Sequence, residues 1–234
     1  MSTAILVAQN GPSGPIGALE APLREAGLEI ETWHAPEDGA APDPRSFAGV
    51  IALGGVTNPD EEGSAPWLAE ERKLLADALE HGVPAIGLCL GAQLLAQAAG
   101  GEAPYLGTLD LGWHQVELTA VGGEDPLLGG LPRRFAGFQW HRYGCRPPGD
   151  AALLGEGPLG VQAFRVGERA WGLQFHLEVD EPIVNYWLDV APHEPEAAGA
   201  SVDELRERTA AEAPGSTRRA HEVGARFARL AAGS

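Results

Sequence analysis

Short apolar runs alternate with helical patterns through the first half of this 234-residue chain. Each run is long enough for one buried strand, and glycine or proline separates it from the next pattern. Strands that alternate with helices predict a parallel sheet with helices on both faces. The predicted strands are residues 4–8, 28–33, 49–53 and 83–88, and the predicted helices are residues 16–26, 66–81 and 91–99.

The second half of the chain is richer in strands. Short apolar or alternating segments separated by Gly- and Pro-rich loops predict strands that include antiparallel pairs; these are residues 113–119, 135–143, 152–154, 161–166 and 170–175. Helical patterns return at residues 183–190, 202–211 and 217–230, with Pro214 between the last two. The Ala-, Pro- and acid-rich residues 193–200 indicate a flexible connector.

These patterns together predict an α/β fold. We expect a doubly wound, mostly parallel central sheet flanked by helices, with a β-rich second half and C-terminal helices. We assign residues 1–190 to a catalytic domain and residues 191–234 to a helical extension packed on the same domain.

Composition narrows the classes of partner. A formal net charge of −17 argues against nucleic acid, because phosphate binding requires clustered Lys and Arg. No apolar run is long enough to cross a bilayer, and the N-terminus lacks the basic start of a secretory signal, so we expect a cytoplasmic protein. Cys89 and Cys145 are lone thiols without neighbours at zinc-ligand spacing, and we expect neither a metal nor a cofactor.

Cys89 lies in a strand–turn–helix pattern. A buried apolar run enters Gly87-Leu88-Cys89-Leu90-Gly91 and continues directly into a helix, as in the cysteine form of a nucleophile elbow. Side chains in place of the two glycines would collide with neighbouring backbone. Unpaired N–H groups at a helix N-terminus stabilise a thiolate. A lone cysteine is also commonly a small buried core residue, so the motif alone leaves both interpretations open.

His176 and Glu178 follow the last predicted strand, two residues apart. In an extended chain such residues share a side, so the carboxylate can reach the imidazole. A cysteine hydrolase needs a base for the thiol proton and an acceptor that holds the base in one tautomer. Alone, the pair could be two surface residues; with the elbow, it indicates a hydrolase.

With these motifs the sequence resembles class I glutamine amidotransferases, most closely the glutamine-hydrolysing domain related to GMP synthase. The matching segments occur in the family's order: Gly54-Gly55, Pro66-Trp67-Leu68, GLCLGAQLLA around Cys89, Gly112-Trp113, Gln139-Trp140-His141 and GLQFHLE around His176.

The resemblance implies a flavodoxin-like sheet and hydrolysis of the glutamine side-chain amide to glutamate and ammonia. By position, Cys89 is the nucleophile, His176 its base and Glu178 the group that orients His176. The oxyanion hole would be the backbone N–H groups of Gly55 and Leu90.

Further positions that match the family imply contacts with the substrate. Gly54, with its neighbour, ends a buried strand, where backbone can approach a ligand closely. Gln93 lies one helical turn after Cys89 on the same face and would hold the amino-acid end. Gln139, Trp140 and His141 would bind the glutamine backbone.

Three departures from the family pattern affect these expectations. Leu177 replaces a frequent proline after the histidine, and Arg142-Tyr143 replaces a frequent Gly-Asp in the substrate loop. No phosphate-binding loop is present, so a separate synthase or ligase would use the ammonia. Besides this glutaminase, the sequence leaves open a stand-alone hydrolase of γ-glutamyl peptides or amines and a non-catalytic regulatory subunit.

Overall fold

The computed structural model describes residues 2–233, so Met1 and Ser234, the outer ends of the two predicted regions, lie outside the described part. Within it the chain forms a single sheet of nine strands. The strands are β1 (Ala4–Gln9), β2 (Glu29–His34), β3 (Gly49–Ala52), β4 (Ala85–Leu88), β5 (Tyr105–Leu118), β6 (Arg134–Tyr143), β7 (Ala152–Gly157), β8 (Gly160–Val166) and β9 (Ala170–Leu173).

Helices cover the sheet. The α-helices of the described chain are α1 (Glu20–Glu25), α2 (Trp67–Glu80), α3 (Leu90–Ala98), α4 (Ala120–Glu124), α5 (Glu181–Val190), α6 (His193–Ala197) and α7 (Val202–Ala231). The helix predicted at residues 16–26 is instead a 3₁₀ turn, Gly17–Leu19, followed by the short α1. Gly17 has a φ of +55°, which lies outside the right-handed helical region.

The parallel half of the sheet has the order β2-β1-β3-β4-β9. Neighbouring strands in it are parallel throughout, and β1, β3, β4 and β9 are almost entirely buried. Strands buried on both faces require continuous apolar runs, which is the pattern in the sequence. This confirms the predicted doubly wound α/β fold, whose order is that of flavodoxin-like sheets.

The strand-rich half continues from β9 as β8-β7-β5-β6, with antiparallel pairing throughout. Strand β5 begins at Tyr105, earlier than the predicted residue 113, because its first part also pairs with β6. Strand β6 then returns to the segment after β9, where the His176 N–H donates to the Phe138 carbonyl over 2.8 Å. This half therefore curls back onto the carboxyl end of the parallel strands.

The C-terminal helix differs from its prediction. The chain forms one helix, α7, across Pro214 rather than two helices separated by it. Proline removes one helical hydrogen bond, but tertiary packing supplies most helix stability. Val223 and Phe227 of α7 are fully buried in the main core, and Ser201 caps the first turn. Burial of one face therefore outweighs the local effect of Pro214.

The connector predicted at residues 193–200 is also partly helical. It contains α6, and Pro195 in that helix is buried. Glu194 and Glu196 lie in the first turn, where negative charge is favourable. The Ala200 N–H donates to the Pro195 carbonyl over 2.9 Å and closes the segment. No helix within residues 2–233 is long and apolar enough to cross a membrane.

Candidate active site

Cys89 occupies a strained turn between β4 and α3. Its φ of 49° and ψ of −105° make it the only non-glycine residue with positive φ in the described chain, a conformation that surrounding structure must enforce. The Cys89 N–H donates to the Leu173 carbonyl over 2.9 Å, and the Cys89 carbonyl accepts from the Gln93 N–H. The residue is 4 % exposed, at the N-terminus of α3.

The two glycines of the motif allow this turn to pack against its neighbours. A Cβ on Gly87 would lie 2.3 Å from the Gly91 carbonyl oxygen, and a Cβ on Gly91 would lie 2.2 Å from the Ala52 carbonyl oxygen. Both contacts are with backbone, which cannot move aside cheaply. The expectation that side chains at these positions would collide with backbone is confirmed.

His176 and Glu178 form a buried hydrogen-bonded pair. The distance between His176 Nδ1 and Glu178 Oε1 is 2.7 Å, and both side chains are at most 5 % exposed. Burial by itself lowers the pKa of His176, but the charges of Glu178 and Cys89 oppose this and raise that pKa to about 10. Glu178 and a negatively charged Cys89 sulfur therefore favour the imidazolium form of His176, which is the form produced when the imidazole takes the thiol proton.

An aromatic wall supports the imidazole. The Trp187 ring on α5 meets the His176 ring edge-on, with centroids 4.9 Å apart. Its indole N–H donates to the Ser13 carbonyl over 2.6 Å, which fixes the ring. No sequence pattern marks Trp187, because a tryptophan in an amphipathic helix carries no local sign of a role in a site.

Gly54 and Gly55 follow β3 and line the same cavity as Cys89 and Leu90. A Cβ on Gly54 would lie 2.8 Å from His176 Cε1, and a Cβ on Gly55 would lie 2.9 Å from Asn10 Cβ. Glycine is therefore required here for close approach. A Cβ on Gly55 would also lie 3.1 Å from Leu90 Cδ2, so Gly55 and Leu90 lie against each other at the cavity that Cys89 lines.

Gln93 is buried, and its amide orientation is set by two acceptors. Gln93 Nε2 donates to the Tyr143 carbonyl over 2.8 Å and to Gln174 Oε1 over 3.3 Å. Both amide hydrogens are thus used, which leaves Oε1 as the group that can accept from a ligand. An acceptor lining the cavity suits the ammonium group of an amino acid.

The three residues of the predicted substrate loop differ in their position relative to the cavity. Trp140 and His141 line the cavity, but Gln139 does not. The Cys89 thiol donates to the Trp140 carbonyl over 3.9 Å, whereas the Gln139 amide pairs with Gln162 and His141. Burial lowers the pKa of His141 to about 4 despite the nearby charge of Asp110, so His141 is neutral at neutral pH.

Glu194 on α6 contacts this loop at the cavity wall. It accepts from the Trp140 indole N–H, and from Arg142 over 3.3 Å. The Tyr143 hydroxyl donates to Asp60 over 2.7 Å. The Arg142-Tyr143 pair that departs from the family pattern is therefore held by carboxylates on other segments.

Cys145 has a different environment from Cys89. It is buried at the sheet, and its thiol lies 3.2 Å from Gln174 Oε1. Burial raises the pKa of the Cys145 thiol well above its ordinary value, so it remains a thiol rather than a nucleophilic thiolate. Residues 2–233 contain no group of three or more His, Cys, Asp or Glu that could hold a metal ion.

The sequence matches the model of the family "Glutamine amidotransferase class-I" over residues 16–182. The chain belongs to the class I glutamine amidotransferase family. Like its relatives, it is an enzyme of the glutamine amidotransferase type.

Curated relatives of this family include whole synthases and separate subunits. The chain is 33% identical over 177 residues to the glutamine-hydrolyzing GMP synthase of Aeropyrum pernix, covering 72% of this chain and 32% of that protein. It is 33% identical over 165 residues to one subunit of the glutamine-hydrolyzing GMP synthase of Methanoculleus marisnigri, covering 69% and 81%. The chain thus spans about a third of the whole synthase but most of the separate subunit.

Solved structures extend the similarity to nearly the whole chain. A glutamine amidotransferase from Thermotoga maritima has a TM-score of 0.85 at 25% identity, covering 96% of this chain and 97% of that one. A glutamine amidotransferase from Methylobacillus flagellatus has a TM-score of 0.87 at 24% identity, covering 97% and 94%. The mixed sheet and its flanking helices are therefore the fold of this family.

Proposed function

We propose that the chain hydrolyses the side-chain amide of glutamine to glutamate and ammonia through Cys89, His176 and Glu178. The observation that carries this proposal is the 2.7 Å contact between His176 and Glu178 in the cavity that also holds Cys89. A thiol on a strained turn, an imidazole that can take its proton and a buried carboxylate are the parts that acyl transfer to sulfur requires.

Each of these groups has one task in the proposed reaction. His176 takes the proton of the Cys89 thiol, the resulting thiolate attacks the amide carbon, and the carbonyl oxygen becomes an oxyanion that accepts from the N–H groups of Gly55 and Leu90. His176 donates its proton to the departing nitrogen, so ammonia leaves and a γ-glutamyl thioester remains. A water molecule then gives a proton to His176 and attacks the thioester, which releases glutamate and restores the thiol. Glu178 holds the tautomer and balances the imidazolium charge.

The amino-acid end of the substrate would lie beyond the thiol. Gln93 Oε1 is placed to accept from the α-ammonium group, and the Gly54 backbone permits close approach. Trp140 and His141 would form the facing wall. We assign Gln139 an indirect part, because its amide pairs with His141 at 3.0 Å and its side chain does not line the cavity.

Ammonia released by the proposed reaction needs an acceptor substrate on a synthase. Two of the relatives are, by name, one subunit of a GMP synthase, and residues 2–233 form a single sheet with its covering helices. We therefore propose that a separate synthase protein docks on this chain in the cytoplasm and uses the ammonia.

The test is a glutaminase assay on purified protein. Wild-type chain should release glutamate and ammonia from glutamine in equal amounts, and Cys89→Ala should release neither. Cys145→Ala is the matched control and should keep activity, since Cys145 does not line the cavity. Equal glutamate release by wild type and Cys89→Ala would contradict the proposal. The assay is repeated with any synthase that co-purifies, because docking can activate such enzymes.

The cavity also supports a second candidate, hydrolysis of larger γ-glutamyl compounds. Its volume of about 610 Å³ is in the range that holds ligands of drug size. Leu109, Trp140, Trp187 and Val190 provide an apolar wall that could contact a substituent on the amide nitrogen. A panel of γ-glutamyl peptides and amines separates the candidates: a higher kcat/KM for glutamine than for every other compound would reject the second.

A further inference from the structure

Glu71 is a carboxyl group in the interior without an evident role. It lies on α2 and has no exposed surface. Its Oε1 accepts from Asn10 Nδ2 over 3.3 Å, while Oε2 has no hydrogen-bond partner among the described residues. Burying a carboxyl with one weak partner costs free energy, and an apolar side chain of similar size would avoid this cost. Its presence therefore suggests a function other than stability.

Asn10 connects Glu71 to the backbone around the thiol. Asn10 Nδ2 also donates to the Leu53 carbonyl over 2.9 Å, so both hydrogens of this amide nitrogen are used. The Leu53 carbonyl accepts a second bond, from the Gly91 N–H over 3.2 Å. One carbonyl thus joins the strand that leads into Gly54 and Gly55 to the first turn of α3.

Asn10 also packs closely against the backbone of Gly55. A Cβ on Gly55 would lie 2.9 Å from Asn10 Cβ, so the Asn10 side chain packs directly against this backbone. A rotation of the Asn10 amide would break the bond to the Leu53 carbonyl, which leads directly into Gly54 and Gly55. Glu71 is the acceptor that opposes such a rotation.

We propose that Glu71 is a positioning residue for the oxyanion hole: through Asn10 and the Leu53 carbonyl, it sets the spacing between the N–H groups of Gly55 and Leu90. This inference rests on the proposed function, in which those two N–H groups bind the oxyanion. The roles are indirect, since neither Glu71 nor Asn10 needs to touch the reacting atoms.

The protonation state of Glu71 suits this role. Burial raises the pKa of its carboxyl to about 8, against a smaller opposite effect of the Asn10 bond. The group is then mostly neutral at neutral pH, and a glutamine side chain has the same shape and also offers an acceptor oxygen. Glu71→Gln is therefore the conservative variant, and Glu71→Leu removes the acceptor while keeping most of the volume.

Two reactions of Cys89 separate the oxyanion hole from the nucleophile. In acylation by p-nitrophenyl acetate, the thiolate attacks the ester carbon through an oxyanion, p-nitrophenolate leaves and an acetyl thioester forms. In alkylation by iodoacetamide, the thiolate displaces iodide without an oxyanion. The ratio of the acylation rate to the alkylation rate therefore reports the oxyanion hole, with Cys89→Ala as the blank for both reactions.

We expect Glu71→Leu to lower this ratio by about tenfold or more, since complete loss of one oxyanion donor costs on the order of 100-fold. Glu71→Gln should restore most of the lost ratio. With glutamine, Glu71→Leu should lower kcat far more than it changes KM. Leu75→Ala, another fully buried position of α2, is the matched control for destabilisation and should keep the wild-type ratio.

A double-mutant cycle completes the test. Asn10→Ala should lower the ratio as Glu71→Leu does, and the double variant should lose no more than the larger single loss, because both act through one contact. A folded Glu71→Leu protein with a ratio within twofold of wild type, or a loss equal to that of Leu75→Ala, would overturn the role of Glu71 alone. Wild type that reacts no faster than Cys89→Ala would overturn the proposed function and this inference together.

Discussion

At the scale of single residues, close packing and charge around Cys89 dominate the site. Gly54, Gly87 and Gly91 each lie where a Cβ would be under 3 Å from another atom. The His176–Glu178 pair places two titratable groups at most 5 % exposed beside the thiol. A side chain at Gly87 or Gly91 should therefore disturb the backbone of the turn, whereas a side chain at Gly54 should act first on the His176 ring.

Glu178→Gln should change the pH dependence of the reaction. Glutamine can still accept the His176 Nδ1–H bond, but the negative charge that raises the pKa of His176 is lost. The folded-state pKa of His176 then falls, so the imidazolium is lost at lower pH. We expect the alkaline limb of kcat/KM to move down by about one to three pH units. Glu181→Gln, an exposed carboxylate nearby, should leave the profile unchanged; an unmoved limb in Glu178→Gln would contradict the assignment.

Gly54→Ala should impair catalysis more than stability. The added methyl would lie 2.8 Å from His176 Cε1 and would displace the ring from the thiol. Misplacement by about 1 Å can cost on the order of 100-fold in rate, so we expect a loss of that size in kcat. Gly63→Ala is the control, because a Cβ there meets nothing within 4 Å. Wild-type kcat in Gly54→Ala would show that the imidazole is not held as described.

At the scale of elements, the helices differ in what holds them. Helix α3 begins at the strained cysteine and is buried along almost its whole length. Helix α5 has a conventional start, with Asp180 capping the Ile183 N–H over 3.0 Å. Helix α7 crosses a proline, and its buried face rather than its local sequence keeps it continuous.

Pro214→Ala tests this account of α7. A proline inside a helix costs about 3 kcal/mol through its missing N–H and its ring. Alanine should restore that hydrogen bond, and we expect the free energy of unfolding to rise by about 1–3 kcal/mol. Urea denaturation followed by circular dichroism measures the change. An unchanged or lower stability would show that the helix is bent at Pro214 to fit the core.

At the scale of the whole molecule, the last helix completes the core that begins with the first strand. Phe227 Cζ would lie 3.0 Å from a Cβ on Gly49, and Pro22 Cγ would lie 2.6 Å from a Cβ on Gly224. Helix α7 thus packs closely on α1 and on the first residue of β3. Residues from the first strands and from α7 share one apolar core. Removal of either group should therefore expose the apolar side chains of the other.

Removal of α7 should therefore prevent stable folding. A chain ending at residue 200 would expose the partners of Ala220, Val223 and Phe227 in the main core, and we expect a dye-binding, aggregation-prone product without a cooperative thermal transition. A chain ending at residue 231 is the control and should melt like the full chain. Cooperative melting of the shorter chain would show that residues 201–234 are a separable extension.

The sequence by itself determined the order of the strands along the chain and two local parts of the candidate site. The Gly-x-Cys-x-Gly turn and the His176–Glu178 pair follow from steric and hydrogen-bonding limits among residues close in the chain, and the apolar runs of β1, β3 and β4 follow from burial on both faces. Only the tertiary structure decided the continuity of α7, the direction of the Gln139 amide and the contacts of Glu71 and Trp187. Glu71 meets Asn10 across 61 positions of the chain; such contacts depend on which faces of distant elements pack together, and no local pattern encodes that choice.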